Sequence, residues 1–289
     1  MSKFKLYSFV LICFTAAHAQ NKTDVSLFNK NNLSTPLREV ISTSGDMFNV
    51  LAHHGPAIEN EFLGFRLYFD YKAAIDVYSK ANKRLELSET KWYPTVEQQT
   101  NGWGADYYKV GETIGLGSIR LWDGNQVVNL NPVSERTARV VKEANVAFIE
   151  MLSKDIPYKE SKVDVLVRIT VYSGTREAKV EAFALSDMEV QFVTGINYFE
   201  NQQTIWNDSY LLTWGKHPED VASASVSLGA AVIFDPEDYL DNIDDGKQKL
   251  LISKQTKTIE HVITSSNSRE SRLSSFPAFK NYVERILPN

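Results

Sequence analysis

The stretch LAHHGPAIENEFLGFRLYFD, Leu51 to Asp70, concentrates titratable side chains. His53 and His54 stand side by side in a turn, Glu59 and Glu61 follow, and Arg66, Tyr68 and Asp70 then alternate with Phe65, Leu67 and Phe69. Histidine has an ordinary pKa of about 6.5 and tyrosine of about 10, so either acts as base or acid once its surroundings tune it. An arginine beside them holds a carboxylate through two parallel hydrogen bonds. The four residues singled out for acid–base chemistry are therefore His53, His54, Tyr68 and Arg66. An antiparallel strand commonly leaves its polar face to solvent; the adjacent histidines are what favour a site.

A metal is the rival reading of the same segment. His53, His54, Glu59 and Glu61 offer nitrogen and oxygen ligands, but their spacing matches no zinc motif such as HExxH. Neither a metal nor another cofactor is expected, because phosphate-binding glycine loops, dinucleotide fingerprints and nucleophile elbows are all missing. Of the isolated histidines, His261 alternates with apolar neighbours and reads as structural, while His217 lies in a loop after Trp214 from which it could reach a site at the same end.

A second feature is aromatic. TKWYPTVEQQTNGWGADYYKVG carries Trp92, Tyr93, Trp103, Tyr107 and Tyr108 among polar residues and glycines, and SIRLWDG adds Arg120 and Trp122. Rings on loops suit stacking against sugar faces, whose axial C–H bonds match the electron-rich ring face; the alternative is that they plug one end of the fold. Trp92, Tyr93, Trp103, Tyr107, Arg120 and Trp122 are the expected substrate-binding residues, with an anionic oligosaccharide as the partner.

Strands must position these groups. In FLGFRLYFD, Phe65, Leu67 and Phe69 share one face and Arg66, Tyr68 and Asp70 the other; VDVLVRITVYSG repeats the pattern from Val163 to Val171 and leads through a turn into REAKVEAFAL. The segment RVVKEANVAFIEML also fits helical spacing, but its neighbours favour a strand from Asn145. Further strands are predicted at 114–122, 192–199, 210–214 and 225–234, and a short helix in FPAFKNYVERIL with Phe279, Tyr282, Val283 and Ile286 on one face. Many short strands separated by turns, without repeats or linkers, predict an all-β fold, a large antiparallel β-sandwich with few short helices.

The opening MSKFKLYSFVLICFTAAHAQ has the layout of a cleavable secretory signal over residues 1–19, leaving 20–289 as a single β-sandwich catalytic domain. The apolar run is too short to span a bilayer, so no membrane insertion is expected. A lipid anchor at Cys13 is disfavoured by Ile12, where a small residue is needed. Removal of that segment would take away the only cysteine and, with Lys3 and Lys5, move the net charge from −5 to −7. An acidic balance argues against a nucleic-acid partner.

The sequences HHGPAIENEFLGFRLYFDYKAAIDVYSK and ETKWYPTVEQQTNGWGADYYKVGETIGLGSIRLWDG resemble a family first described as a domain of unknown function from Bacteroidetes polysaccharide-utilisation loci, a member of which is associated with ulvan breakdown. The resemblance is strongest from His53 to Gly124 and continues through VDVLVRITVYSG and LLTWGKHP. It implies a mutarotase-like super-sandwich and a hydro-lyase: an oligosaccharide dehydratase that removes water from the non-reducing-end uronic acid of ulvan oligosaccharides, giving a 4,5-unsaturated uronate. The family's setting implies the periplasm. No catalytic residues come with the resemblance. On chemical grounds, His53 and Tyr68 are the expected base and acid, in unassigned order, with His54 or Arg66 holding the carboxylate and Arg120 as another candidate to neutralise it. A polysaccharide lyase, a non-catalytic carbohydrate-binding protein and a mutarotase-like epimerase are the alternatives.

Overall fold

The computed structural model describes residues 22–218 and 225–287. The expected signal segment and Cys13 lie outside the described residues. The strands form three antiparallel sheets of five, nine and five strands, as the alternating patterns predict.

The nine-stranded sheet is built on the meander. In Ser161–Tyr172 the residues Val163, Val165, Val167, Ile169 and Val171 are all buried, each stabilising the fold by about 1.5–3 kcal/mol relative to exposure. Register carries them onto matching partners: Ile169 lies opposite Ile149 on one side and Val180 on the other. The ambiguous segment contains the expected strand, as Val146–Tyr158, and its first residues belong to a further strand, Glu135–Lys142. A β-bulge interrupts Val146–Tyr158 between Ser153 and Ile156.

The first five-stranded sheet runs Thr23–Ser26, Ala57–Asn60, Leu63–Leu67, Ile75–Ser79, Ala105–Asp106. Its apolar face, with Ile58, Phe65, Leu67 and Val77, joins a core cluster that also takes in Ile149, Val165 and Val167 from the large sheet and Leu121 and Phe192 from the third. That shared core makes the architecture a sandwich.

The predicted helix is present as Phe276–Arg285, with Phe279 and Val283 buried against Leu212, Trp214 and Ala231. Two expectations need correction. The strand predicted over 114–122 is confined to Arg120–Trp122, because Gly115 and Gly117 adopt left-handed φ angles of 71° and 67° that break the extended run. The aromatic segment is not a plain loop, since the short helix Leu87–Thr90 leads into it and it holds a second, Val96–Thr100, opened by a capping box from Thr95 and Gln98. Among the described residues no helix is long and apolar enough to cross a membrane.

Candidate active site

Register in the first sheet assembles the polar residues. Leu63–Leu67 pairs with Ile75–Ser79 so that Arg66 faces Asp76, and Ala105–Asp106 adds Asp106 opposite Tyr78. Alternation then puts Arg66, Asp76, Tyr78 and Asp106 on the face away from the core. This face is not solvated. Residues 81–104 fold over it, and Leu87 and Trp92 pack there against Ala57 and Tyr78.

Arg66 is 3% exposed. Its Nε and Nη2 donate to Asp76 Oδ2 at 2.9 and 2.6 Å, Nη2 also to Asp106 Oδ2 at 2.8 Å, and Trp92 lies 4.6 Å from the guanidinium carbon. Burial opposes the charge, but the two aspartates outweigh it and hold the arginine firmly protonated. Two phenols complete the shell: Tyr68 Oη shares Nη2 with the aspartates at 3.0 Å, and Nη1 donates to Tyr93 Oη at 2.7 Å and to the His53 carbonyl at 3.5 Å. Tyr68 in turn donates to Asp76 Oδ2 at 2.8 Å. One guanidinium shared by two carboxylates has neither spare charge nor a spare donor for a substrate carboxylate; it orients the tyrosines instead.

The two histidines diverge. Gly55 is extended, and a Cβ there would lie 2.0 Å from the Leu67 carbonyl oxygen, so the backbones touch where the turn meets the strand. His53 and His54 precede it at φ angles of 58° and 63°, costing of order 1–3 kcal/mol each. Lys91 and Trp92 form a second left-handed pair, at 48° and 76°. The two strained pairs meet where His53 Nδ1 donates to the Lys91 carbonyl at 2.7 Å. That bond fixes the tautomer, so His53 Nε2 accepts from the Ser26 hydroxyl at 2.7 Å. Both ring nitrogens of His53 are thus used inside the protein, and burial pushes its pKa down to about 3.

His54 is only partly buried. Its Nδ1 donates to the Phe48 carbonyl at 2.9 Å, which leaves a lone pair on Nε2, and no hydrogen bond to Nε2 is present among the described residues. The ring stacks on Phe48 at 3.8 Å and meets the rings of Tyr68 and Tyr93 edge-on at 6.2 and 6.4 Å. Burial, with a smaller contribution from Arg66, lowers its pKa below the usual value, so the ring is a neutral acceptor at neutral pH. Tyr93 is 42% exposed, and burial of its hydroxyl end raises its pKa. Lys72 Nζ lies 5.7 Å from the Tyr68 ring and 5.9 Å from the Phe48 ring.

The other expected residues are dispersed. Trp92, read as a stacking ring, is wholly buried, with its Nε1 donating to Asp106 at 3.1 Å. Tyr107 is buried and accepts from Arg269 at 2.7 Å. Trp103 lies beneath the Arg84 guanidinium at 4.2 Å, and Trp122 packs on the cluster around Ile114 and Val193. Arg120 is buried and donates to the Thr113 carbonyl. The aromatic residues therefore support the fold, and Tyr93 alone among them is an exposed ring beside the histidines. Asp70 turns away to accept the amides of Lys72 and Ala73. The rival metal ligands are not gathered: Glu59 is paired with Lys80 and accepts the amides of Glu86 and Leu87, and Glu61 accepts from Gly174. His217 packs at a tilt against Tyr108 and is buried, and His261 is buried against Gly117.

Asp76, Asp106, Phe48 and Lys72 were not expected. A signal for Asp76 existed, since an acid inside the β-forming run AIDVYS has to meet a cation if its strand is buried on both faces.

Fold and cluster together define an antiparallel β-sandwich protein with a histidine–tyrosine pair mounted on a buried arginine–aspartate network. Residues 13–287 match the family described as "Domain of unknown function (DUF4861)", and the chain belongs to that family. No curated protein matches the sequence. Similar solved structures include a putative aldose 1-epimerase from Klebsiella pneumoniae subsp. pneumoniae MGH 78578, 11% identical with a TM-score of 0.42, the match covering 91% of this chain and 96% of that one. Another is 4-alpha-glucanotransferase from Thermococcus litoralis, 10% identical with a TM-score of 0.37, the match covering 73% of this chain and 37% of that one.

Proposed function

We propose that this protein is a hydro-lyase that removes water from the non-reducing-end uronic acid of ulvan-type oligosaccharides, acting in the periplasm after export. The observation that carries the acid–base chemistry is the pairing of His54, whose Nε2 is unprotonated and open, with Tyr93, whose oxygen receives a hydrogen bond from Arg66. The substrate class rests on the resemblance of residues 53–124 noted from the sequence.

In this reading His54 Nε2 takes the C5 proton. The C5–H electrons form the C4–C5 double bond, the C4–O bond breaks, and the phenolic proton of Tyr93 passes to the departing hydroxyl, which leaves as water. Tyr93 keeps its proton at neutral pH, and Arg66 stabilises the phenolate once that proton has gone. A proton returning from His54 to Tyr93 through solvent restores the resting state. Lys72, over the same rings, keeps the Gly111 carbonyl and exchanges its exposed partner Glu112 for the substrate carboxylate. His53 and Tyr68, whose polar atoms are consumed internally, hold the turn and the arginine in place.

The test is ultraviolet absorbance of the protein incubated with ulvan oligosaccharides carrying a saturated terminal uronate, followed by mass spectrometry. Growth of the conjugated-uronate band with loss of one water and no chain shortening is expected, and His54→Ala should slow it by about 10²- to 10⁴-fold. Chain shortening would make the protein a lyase. A flat trace with unchanged masses would overturn the enzymatic reading.

A further inference from the structure

A cleft of about 560 Å³ lies beside the turn that joins Ala57–Asn60 to Leu63–Leu67, lined by Phe62, Lys83, Arg176, Arg272 and Arg285 among others. Phe62 is four residues before Arg66, so the cleft is on the order of 13 Å along the strand from the arginine cluster. Its size falls in the range of small-ligand sites, roughly 300–1,000 Å³. What sets it apart is charge. Five cations line it against two carboxylates, Glu177 and Glu270, in a chain whose net charge is −5.

The pairing pattern shows which cations are structural. Lys80 is fully buried against Glu59, and Arg176, 8% exposed, is held by Glu270 and the Ser265 carbonyl. Glu177 accepts from the Tyr282 hydroxyl. Lys83, Arg272 and Arg285 are exposed and make no close ion pair among the described residues, although the Lys83 charge is felt by Glu270. Two of these three are seated on rings: Lys83 lies 4.4 Å from the Phe62 ring centroid and Arg285 5.6 Å from that of Tyr282. Cations placed over aromatic faces keep their charge while part of their hydration is replaced.

We infer that this cleft is an anion-binding subsite for a sulfated or carboxylated stretch of glycan, with Lys83, Arg272 and Arg285 meeting its charges while the Phe62 and Tyr282 rings hold two of those cations in place. Cations seated on two separate rings call for a ligand with more than one negative charge, and that this ligand is a glycan rests on the substrate class proposed above. The inference does not depend on the reaction proposed above, because it concerns binding without turnover.

Affinity electrophoresis of the full chain in gels containing dextran sulfate or neutral dextran tests it. Retardation by dextran sulfate alone is expected, weakening as salt rises because exposed ion pairs are screened. Arg272→Ala combined with Arg285→Ala should reduce that retardation at least fivefold, while Lys257→Ala, an exposed lysine elsewhere, should leave it unchanged. All three sites are exposed, and unchanged circular dichroism shows that the variants fold. Equal retardation of the double variant and the unaltered chain would overturn the assignment, as would equal binding to neutral dextran or stronger retardation by single-stranded DNA. Loss of retardation with uronate turnover absent throughout would sink the proposed reaction and leave the subsite standing.

Discussion

Replacing Asp76 by Asn removes one charge from the interior and little volume, so its effect isolates the electrostatics of the arginine cluster. Asp76 Oδ2 receives three donors, Arg66 Nε at 2.9 Å, Arg66 Nη2 at 2.6 Å and the Tyr68 hydroxyl at 2.8 Å. Breaking a buried ion pair by removing one partner typically costs 3–5 kcal/mol. Asp106, 2.8 Å from Nη2, keeps part of the compensation, so a loss of about 3 kcal/mol is expected. At roughly 2 °C per kcal/mol for a chain of this size, the melting temperature should fall by about 6 °C. Urea denaturation is the better assay, because an unchanged m-value with a lower midpoint shows that stability alone has moved. Tyr68→Phe should cost less in the Asp76→Asn background than alone, since both changes remove bonds to the same oxygen. A midpoint within error of the unaltered protein would refute the reasoning: Asp106 alone would then balance Arg66.

Tyr93→Phe should lower turnover by about 10²- to 10⁴-fold and lower the melting temperature modestly, because the buried Arg66 Nη1 loses its phenolic acceptor; equal activity would remove it from the mechanism. Gly55→Ala forces a Cβ to 2.0 Å from the Leu67 carbonyl oxygen and should destabilise the fold by about 3 kcal/mol, visible as a lowered urea midpoint. Burial holds His53 and His217 near pKa 3 and His261 near 4, below their unfolded value. The unfolded chain therefore binds more protons between pH 6.5 and these values, and stability is lost as pH falls through that window. Between pH 6.5 and 5 each contributes a loss of about 2 kcal/mol. Glu59, Asp70 and Glu270, whose pKa values burial raises, act in the opposite sense and reduce the total. Melting temperatures at pH 7, 6 and 5 should decline, and a flat profile would show that the histidines are not neutral in the folded state.

The period of two in a strand makes part of this fold legible before any coordinate is known. Val163 to Val171 and Phe65, Leu67 and Phe69 announce their buried faces through alternation alone, and the spacing of Phe279 and Val283 announces the last helix. These patterns are local, so no knowledge of the rest of the chain is needed to read them. Position in space is a different matter. The burial of Trp92 and His53 depends on residues 81–104 folding over the first sheet, and that contact joins segments 38 residues apart through His53 and Lys91. The pairing of Arg66 with Asp76 and Asp106 depends on register across two hairpins, where a slip of one residue would turn each side chain to the other face. The two histidines are neighbours of the same type, and only tertiary hydrogen bonding separates them, consuming both nitrogens of one and leaving one nitrogen of the other open.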